Sequence, residues 1–549
     1  MVRKFTPPDK LKFYSILLAG AALLSGVIVG LMTAMVSGSG VNLLGVLAIC
    51  GTVTGMILAL LYRFRLQDHT VLRLQAEQAQ KREAKRASSA AAAPAMPYSF
   101  SPAWLAQQLN VKPDWLEWGL LVLIFMMYTR FSDVLIHEHG LPSVAQPLVL
   151  LLLVVLVMRG MMARSKGKKQ LFGSRWITVS ILLASYGLVR FASLLYAADL
   201  ALAQEALEDY VKDAIIAVVI VLMLQRGAIL RRVIWALLIA GIFMGTISAV
   251  QFLTGTFHNT FLGFGLAQVQ HIIGQTEDFR IGGPIGEPNF YSQILLPLVP
   301  LAFERMWNER KLLLRLLAAW SLIACLLAIV FTFSRGAIVA LAAMMGIALL
   351  IRRPKPQELL IIFLIILPVL PFVPTQYIER VTTLVSVLPG LNNNPRAEVS
   401  FRGRTSELIA GLMMFRDNPL LGVGLNNYPV HYQDYARRVG LETRREPRAP
   451  HSLYLEVLAE LGFLGIVTFG ALLWSMWHSI YFSQKIFRRY QFFEYSNLTI
   501  ALGVGLMGYL TAAIFLHAAY PRFFWLLAGI ALAIPQIVRN EQGLFYGTR

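Results

Sequence analysis

Apolar runs of about 20 residues, parted by short polar connections, recur along the chain, and each can cross roughly 30 Å of hydrocarbon as an α-helix. They begin near Phe13, Val41, Trp115, Pro147, Trp176, Ala214, Val233, Asn289, Leu312, Gly336, Leu359, His451, Ser496 and Phe523. The pattern predicts an all-α polytopic integral membrane protein with about 14 transmembrane helices. Ile16 to Val36 is too long for the apolar core of a signal peptide and reads as a membrane helix.

The connections alternate in charge. One set holds Arg3 and Lys4, a cluster from Arg63 to Arg86, then Arg164, Lys166, Lys168 and Lys169. It continues with Arg226, Arg231 and Arg232, the stretch Arg305 to Arg315, Arg352 and Arg353, and Lys485 to Arg489. The intervening set (SGSG, FSDVLIHEHG and AADLALAQEALED) is neutral or acidic. Basic connections stay in the cytoplasm, so both termini are expected there. Residues 1–65 would then form two N-terminal membrane helices, and 66–113 a charged, then Ala/Ser/Pro-rich cytoplasmic linker. Residues 114–540 would form a body of about twelve helices and 541–549 a cytoplasmic tail. The longest external segments are 255–288 and 374–450, the second with short amphipathic helices. No internal repeat of useful strength is visible, which disfavours a two-halves transporter.

Composition agrees: 57% of residues are hydrophobic and 14% charged, against about 25% charged in soluble domains. The net charge of +19 sits in short connections beside apolar runs. Without a nucleic-acid motif it reads as orientation, and no nucleic-acid partner is expected. The two cysteines, Cys50 and Cys325, lie inside apolar runs, so neither a disulfide nor a metal site is expected. There is no Walker motif and no Asp-x-Asp to carry a divalent metal on a nucleotide sugar. A cytoplasmic nucleotide-using enzyme is disfavoured, and no cofactor is expected.

The external segment 374–450 breaks the charge rule, with Arg380, Arg396, Arg402, Arg404, Arg437, Arg438, Arg444, Arg445 and Arg448. Guanidinium offers a fork of donors suited to phosphate oxygens. Such a basin fits a lipid-linked phosphate or pyrophosphate, or attraction to anionic headgroups. Arg280 opens RIGGPIGEPNFYS, a Gly/Pro-rich loop that feeds a helix start whose free N–H groups suit an anion, unless it is an ordinary turn. Arg335, in FTFSRGAIVAL, occupies a nearly loopless turn, and a charge so near hydrocarbon is either used or snorkelling. His451 stands at the mouth of a long apolar helix, where a neutral imidazole can take a proton from a hydroxyl or merely cap the helix.

Glu456 and Glu460 share one face of that helix, turned about 140–180° from His451. Arg190, the one arginine inside the fifth run, is their expected partner. In RTSELIAGLMMFRDNP, Thr405 or Ser406 would cap a short external helix that ends at Asp417-Asn418-Pro419. Leu408, Ile409, Leu412 and Phe415 would form its apolar side, laid on the membrane surface.

At these residues the chain resembles the O-antigen ligase and polymerase superfamily of bacterial membrane glycosyltransferases. HSLYLEVLAELGFLGIV is similar to the family signature of His, then Asn, Ser or Gln, nine residues, Gly-x-x-Gly and Thr-Val. His451, Ser452, Gly462, Gly465 and Val467 match it, and Ile466 stands where the family has Thr. The GEPN loop, the SRG turn and RTSELIAGLMMFRDNPLLGVGLNNY resemble its other blocks, so the likeness covers roughly residues 255–465. It implies metal-independent, inverting transfer of a glycan from an undecaprenyl-pyrophosphate donor, in the bacterial inner (plasma) membrane, at its periplasmic or exterior face. The acceptor would be a hydroxyl on a glycan, lipid or protein. Arg280 and Arg335 would hold the pyrophosphate as it leaves, and His451 would position or deprotonate the acceptor hydroxyl. Arg404, Glu287, Asn289, Arg190 and Arg402 complete the implied substrate contacts. Ligase and polymerase differ only in acceptor, and the signature leans toward ligase. A transporter would place charges deep along a path through several helices, where this chain has chiefly Arg190, Glu456 and Glu460. A non-catalytic scaffold for envelope assembly would share the same fold.

Overall fold

A computed structural model describes residues 114–165, 175–271, 277–351, 395–440, 448–517 and 520–546. The chain divides into two compact units. One comprises Met1–Val111, Leu253–Gly255 and Arg353–Pro374, of which Leu253–Gly255 are described. The other holds the remaining described residues and the site. The runs near Phe13, Val41 and Leu359, and the linker 66–113, lie outside the described residues.

Among the described residues the helices are α1 (Trp115–Tyr128), α2 (Phe131–His139), α3 (Ala145–Ser165), α4 (Arg175–Ala192), α5 (Leu200–Met223) and α6 (Gly227–Leu253). They continue with α7 (Pro288–Leu295), α8 (Leu298–Asn308), α9 (Leu312–Phe331) and α10 (Arg335–Ile351). The last five are α11 (Pro395–Asp417), α12 (Tyr428–Val439), α13 (Leu453–Arg489), α14 (Phe493–Ala512) and α15 (Pro521–Tyr546). Six are long and apolar enough to cross a membrane, or seven if α1 and α2, bent by 56° at their junction, count as one span. The junction residue Arg130 has φ 54° and is tied to Asp133 (3.1 Å) and the Pro284 carbonyl (3.3 Å), which fixes the bend.

Four expectations change. The run near Ala214 begins earlier, at Leu200, because the Asp199 carboxylate accepts from the N–H groups of Ala201 (3.0 Å) and Leu202 (3.1 Å). The Ala- and Leu-rich stretch read as a connection is therefore helix. The run near Asn289 is two helices, α7 and α8, parted at Leu296 and Pro297, where proline supplies no N–H. The segment 255–288 is not irregular: Leu266–His271 (β1) and Glu277–Gly283 (β2) pair antiparallel, with Gln268 opposite Arg280. The fold is thus helical with one two-stranded ribbon among the described residues. Finally, α11 runs through Thr405 and Ser406, so neither caps it, although it does end at Asp417. Its buried face is Gly403, Ser406, Glu407, Ala410, Gly411 and Met414, at helical spacing, while Leu408 and Leu412 face outward.

Candidate active site

Two glycine motifs form one joint. Helix α13 is broken at Gly462, whose φ of 61° and ψ of −153° no side chain adopts easily. The break frees the carbonyls of Ala459 and Glu460 to accept from the N–H groups of Val423 (2.9 Å) and Gly424 (3.0 Å). It also frees the N–H groups of Phe463 and Leu464 to donate to the carbonyls of Pro419 (2.8 Å) and Leu420 (3.2 Å). A Cβ at Gly462 would sit 2.6 Å from the Leu420 carbonyl carbon, and one at Gly422 2.3 Å from that of Glu460. Only glycine lets these backbones meet.

From this joint a relay of contacts runs to His451. The buried Glu460 carboxylate accepts from the N–H groups of Asn426 (2.7 Å) and Tyr428 (3.2 Å), capping α12. The expected pairing with Arg190 is a through-space attraction rather than a hydrogen bond. Tyr428 donates its hydroxyl to the Glu407 carbonyl (2.6 Å), and Tyr432 Oη lies 3.3 Å from the Ser406 hydroxyl. These braces fix α11 where Glu407, 2% exposed, faces the start of α13. Its Oε1 accepts from Arg448 (3.1 Å).

Glu407 Oε2 lies 3.1 Å from Nδ1 of His451, an imidazole 42% exposed. Hydrogen-bond angles at Nδ1 are met toward the Ala449 carbonyl at 3.2 Å, which leaves Oε2 sealed from solvent at ion-pair distance. Both neighbours of Nδ1 are acceptors. In the neutral ring Nδ1 therefore carries the hydrogen and Nε2 keeps its lone pair. A proton arriving at Nε2 would create an imidazolium beside a buried carboxylate. This is the arrangement of a general base with its orienting acid.

Arg280 and the Arg335 turn are brought together. From β2, Arg280 donates to the Thr332 carbonyl (2.9 Å) and to Asn289 Oδ1 (3.0 Å). Thr332 lies three residues before Arg335, which opens α10 after Phe333, a residue held at φ 51°. Glu287 precedes α7 and accepts from Gln268, across the ribbon from Arg280, at 2.8 Å. The loop after α14 links this group to the histidine. Phe515 is the neighbour of Gly336, while the carbonyls of Ala513 (3.0 Å) and Leu516 (2.7 Å) accept from Leu453 N–H. His517 in the same loop has its ring centre 6.1 Å from that of His451 and edge-on to Phe290, 5.2 Å away. Burial, with His451 nearby, holds the His517 imidazole down to about 4.

The remaining expected residues lie apart from this cluster. Arg404 is exposed on α11, and Arg402 lies in an earlier turn with its side chain outside the described residues. Arg190 rests over the rings of Tyr210 (4.9 Å) and Tyr186 (5.5 Å) and donates to the Ala206 carbonyl (3.3 Å). These contacts make it a brace between α4 and α5.

Two residues with a claim on the chemistry were missed. Glu407 was passed over because α11 was phased on its leucines. A lone acid among small residues at positions 403, 406, 407, 410 and 411 was the available signal. His517 ends the apolar run before Tyr520 and Pro521, much as His451 begins one.

Residues 320–470 match the family model described as O-antigen ligase. The match bears out the resemblance to the O-antigen ligase superfamily and supports a ligase- or polymerase-type glycosyltransferase of the membrane. It covers the Arg335 turn, Glu407, the glycine joint and His451. No curated protein matches the chain.

Proposed function

We propose that this chain, with its O-antigen ligase domain at residues 320–470, transfers a glycan from an undecaprenyl-pyrophosphate donor to an acceptor hydroxyl. The reaction would take place at the outer face of the bacterial inner membrane. The observation that carries this reading is the Glu407–His451 pair, joined through the 513–517 loop to the turn bearing Arg335, onto which Arg280 of β2 is bonded through Thr332.

In the proposed step the acceptor oxygen attacks the anomeric carbon as His451 Nε2 takes its proton, and Glu407 stabilises the imidazolium that forms. The bond from that carbon to the phosphate oxygen breaks, and undecaprenyl pyrophosphate leaves with the electron pair. The guanidinium groups of Arg280, fixed by Thr332 and Asn289, and of Arg335 would stabilise its developing charge, so no metal is required. A single displacement inverts the anomeric centre. Glu287 and Asn289, beside Arg280, would flank the glycan and headgroup. The alternation of basic connections in the sequence supports the outward orientation.

The test is transfer from purified lipid-linked glycan with EDTA present, offering a core lipid, a protein and a second lipid-linked glycan separately. One discrete product, lost in Arg280→Ala, Arg335→Ala and His451→Ala, is the expected ligase result. A ladder of products would identify a polymerase. No product with any acceptor, together with movement of the lipid-linked glycan across vesicles, would replace transfer by transport.

A further inference from the structure

Beside His451 stands a second imidazole that the mechanism above does not use. His517 is mostly buried, and its Nδ1 is sealed from solvent with no hydrogen-bond partner. A buried N–H without an acceptor costs more than a buried lone pair, which needs no donor to avoid an unmatched hydrogen. The favoured tautomer therefore keeps the hydrogen on Nε2. His451 has the opposite assignment, because its Nδ1 hydrogen is held by the Ala449 carbonyl and Glu407, and its Nε2 lone pair is open. The rings stand 6.1 Å apart between centres and are inclined by 54°.

The two rings are fixed by different elements. Ser452 accepts from Leu455 N–H and starts α13 directly after His451, and Leu453 N–H is tied to the carbonyls of Ala513 and Leu516. These bonds lock the 513–517 loop to the His451 turn. Phe290 from α7 packs against His517 with the two rings nearly perpendicular. The two imidazoles therefore come from turns that the backbone bonds hold side by side.

Resting on the glycosyl-transfer reading above, we propose that His517 holds the acceptor hydroxyl by donating an Nε2–H hydrogen bond to its oxygen, setting it against Nε2 of His451. One imidazole donates to the acceptor oxygen and the other removes its proton. The oxygen's remaining lone pair is left to form the new bond to the anomeric carbon. Burial of His517 suits this division, because a second cation beside His451 would oppose arrival of the proton there.

The experiment measures initial rates of glycan transfer by the full-length protein in lipid nanodiscs, varying donor and acceptor separately. The variants are His517→Gln, whose amide restores a donor near Nε2, and His517→Leu, which fills the space without one. Expected for His517→Leu is a rise in acceptor KM or a fall in turnover of about 10–100-fold, with donor KM within about twofold. His517→Gln should recover most of that loss. Equal losses in both variants, or a loss matched by a rise in donor KM, would overturn the donor role in favour of simple packing. Wild-type kinetics in His517→Leu, with His451→Ala inactive, would remove His517 from the site and leave the transfer reading standing. Absence of transfer by the wild-type protein with every acceptor would sink both.

Discussion

At the two ends of α6, α9 and α14, arginine is used in opposite ways. Near Arg231 and Glu494 the guanidinium groups are enclosed and matched. Arg305, fully buried, binds Glu304 (2.6 Å), Glu494 (2.8 Å) and Glu309 (3.5 Å), and Arg231 shares Glu309 and Glu494 with it. Arg232 pairs with Glu117 of α1. At the His451 end, Arg280 donates instead to a carbonyl and an amide oxygen. Neutralised arginine ties helices together at one end, and at the other an arginine is set by a backbone carbonyl and an amide beside the candidate site. The count of basic residues by connection treats the two ends alike. Arg231, Arg232 and Arg305, entered there as orientation signals, are largely spent on internal carboxylates.

The contrast is sharpest in activity. His451→Ala should lower turnover by about 10³-fold while leaving the melting temperature within about 2 °C, because the exposed ring carries chemistry rather than packing. Transfer assays beside thermal melts check this, and a collapse in melting temperature would make the histidine structural. Arg305→Ala should do the reverse. Stranding Glu304, and leaving Glu309 and Glu494 to Arg231 alone, should cost about 3–5 kcal/mol, seen as loss of folded protein in detergent, and Arg305→Met with Glu304→Gln should recover part of it. Full stability of Arg305→Ala would erase the distinction between the two ends.

Glu407→Gln keeps the shape but loses the charge that meets the imidazolium, so turnover should fall by about 10–100-fold with melting unchanged. Retained turnover would leave the Ala449 carbonyl as the only orienting group. Gly462→Ala should destabilise the fold by about 1–3 kcal/mol, from its positive φ and the clash with Leu420. It should also reduce transfer, because the segment leading to Glu407 loses its seat. The smallest effect concerns pH. His517 is held to about 4 when folded, against about 6.5 when unfolded, so the unfolded chain binds its proton first as pH falls. Stability should therefore decline from about pH 6.5 toward pH 4, by up to roughly one kcal/mol per pH unit, and His517→Leu should remove that part of the slope.

What could be read beforehand was whatever broke a pattern. Arg280 and Arg335 stood out as charges beside apolar runs, and His451 as a polar residue at a helix mouth. The end of α11 at Asp417 was legible because proline follows two residues later. Glu407 was not, since its importance lies in a contact 44 residues along the chain and in a helix face chosen by tertiary packing. The ribbon at Arg280 was hidden likewise. Its alternation is short, and Gly282 and Gly283 in β2 read as turn residues.

The glycine joint also fixes when the site can come into being. Residues 419–424 leave the ribosome before the helix break at Gly462 that receives them, and the 513–517 loop follows later still. A chain emerging from its N-terminus therefore carries Arg280 and Arg335 in the membrane before Glu407 can be seated or His451 anchored. The proposed base would be installed among the last steps of biogenesis, after the helices that flank it. An incomplete chain could present the arginines to a lipid-linked anion, yet would have no means of activating an acceptor.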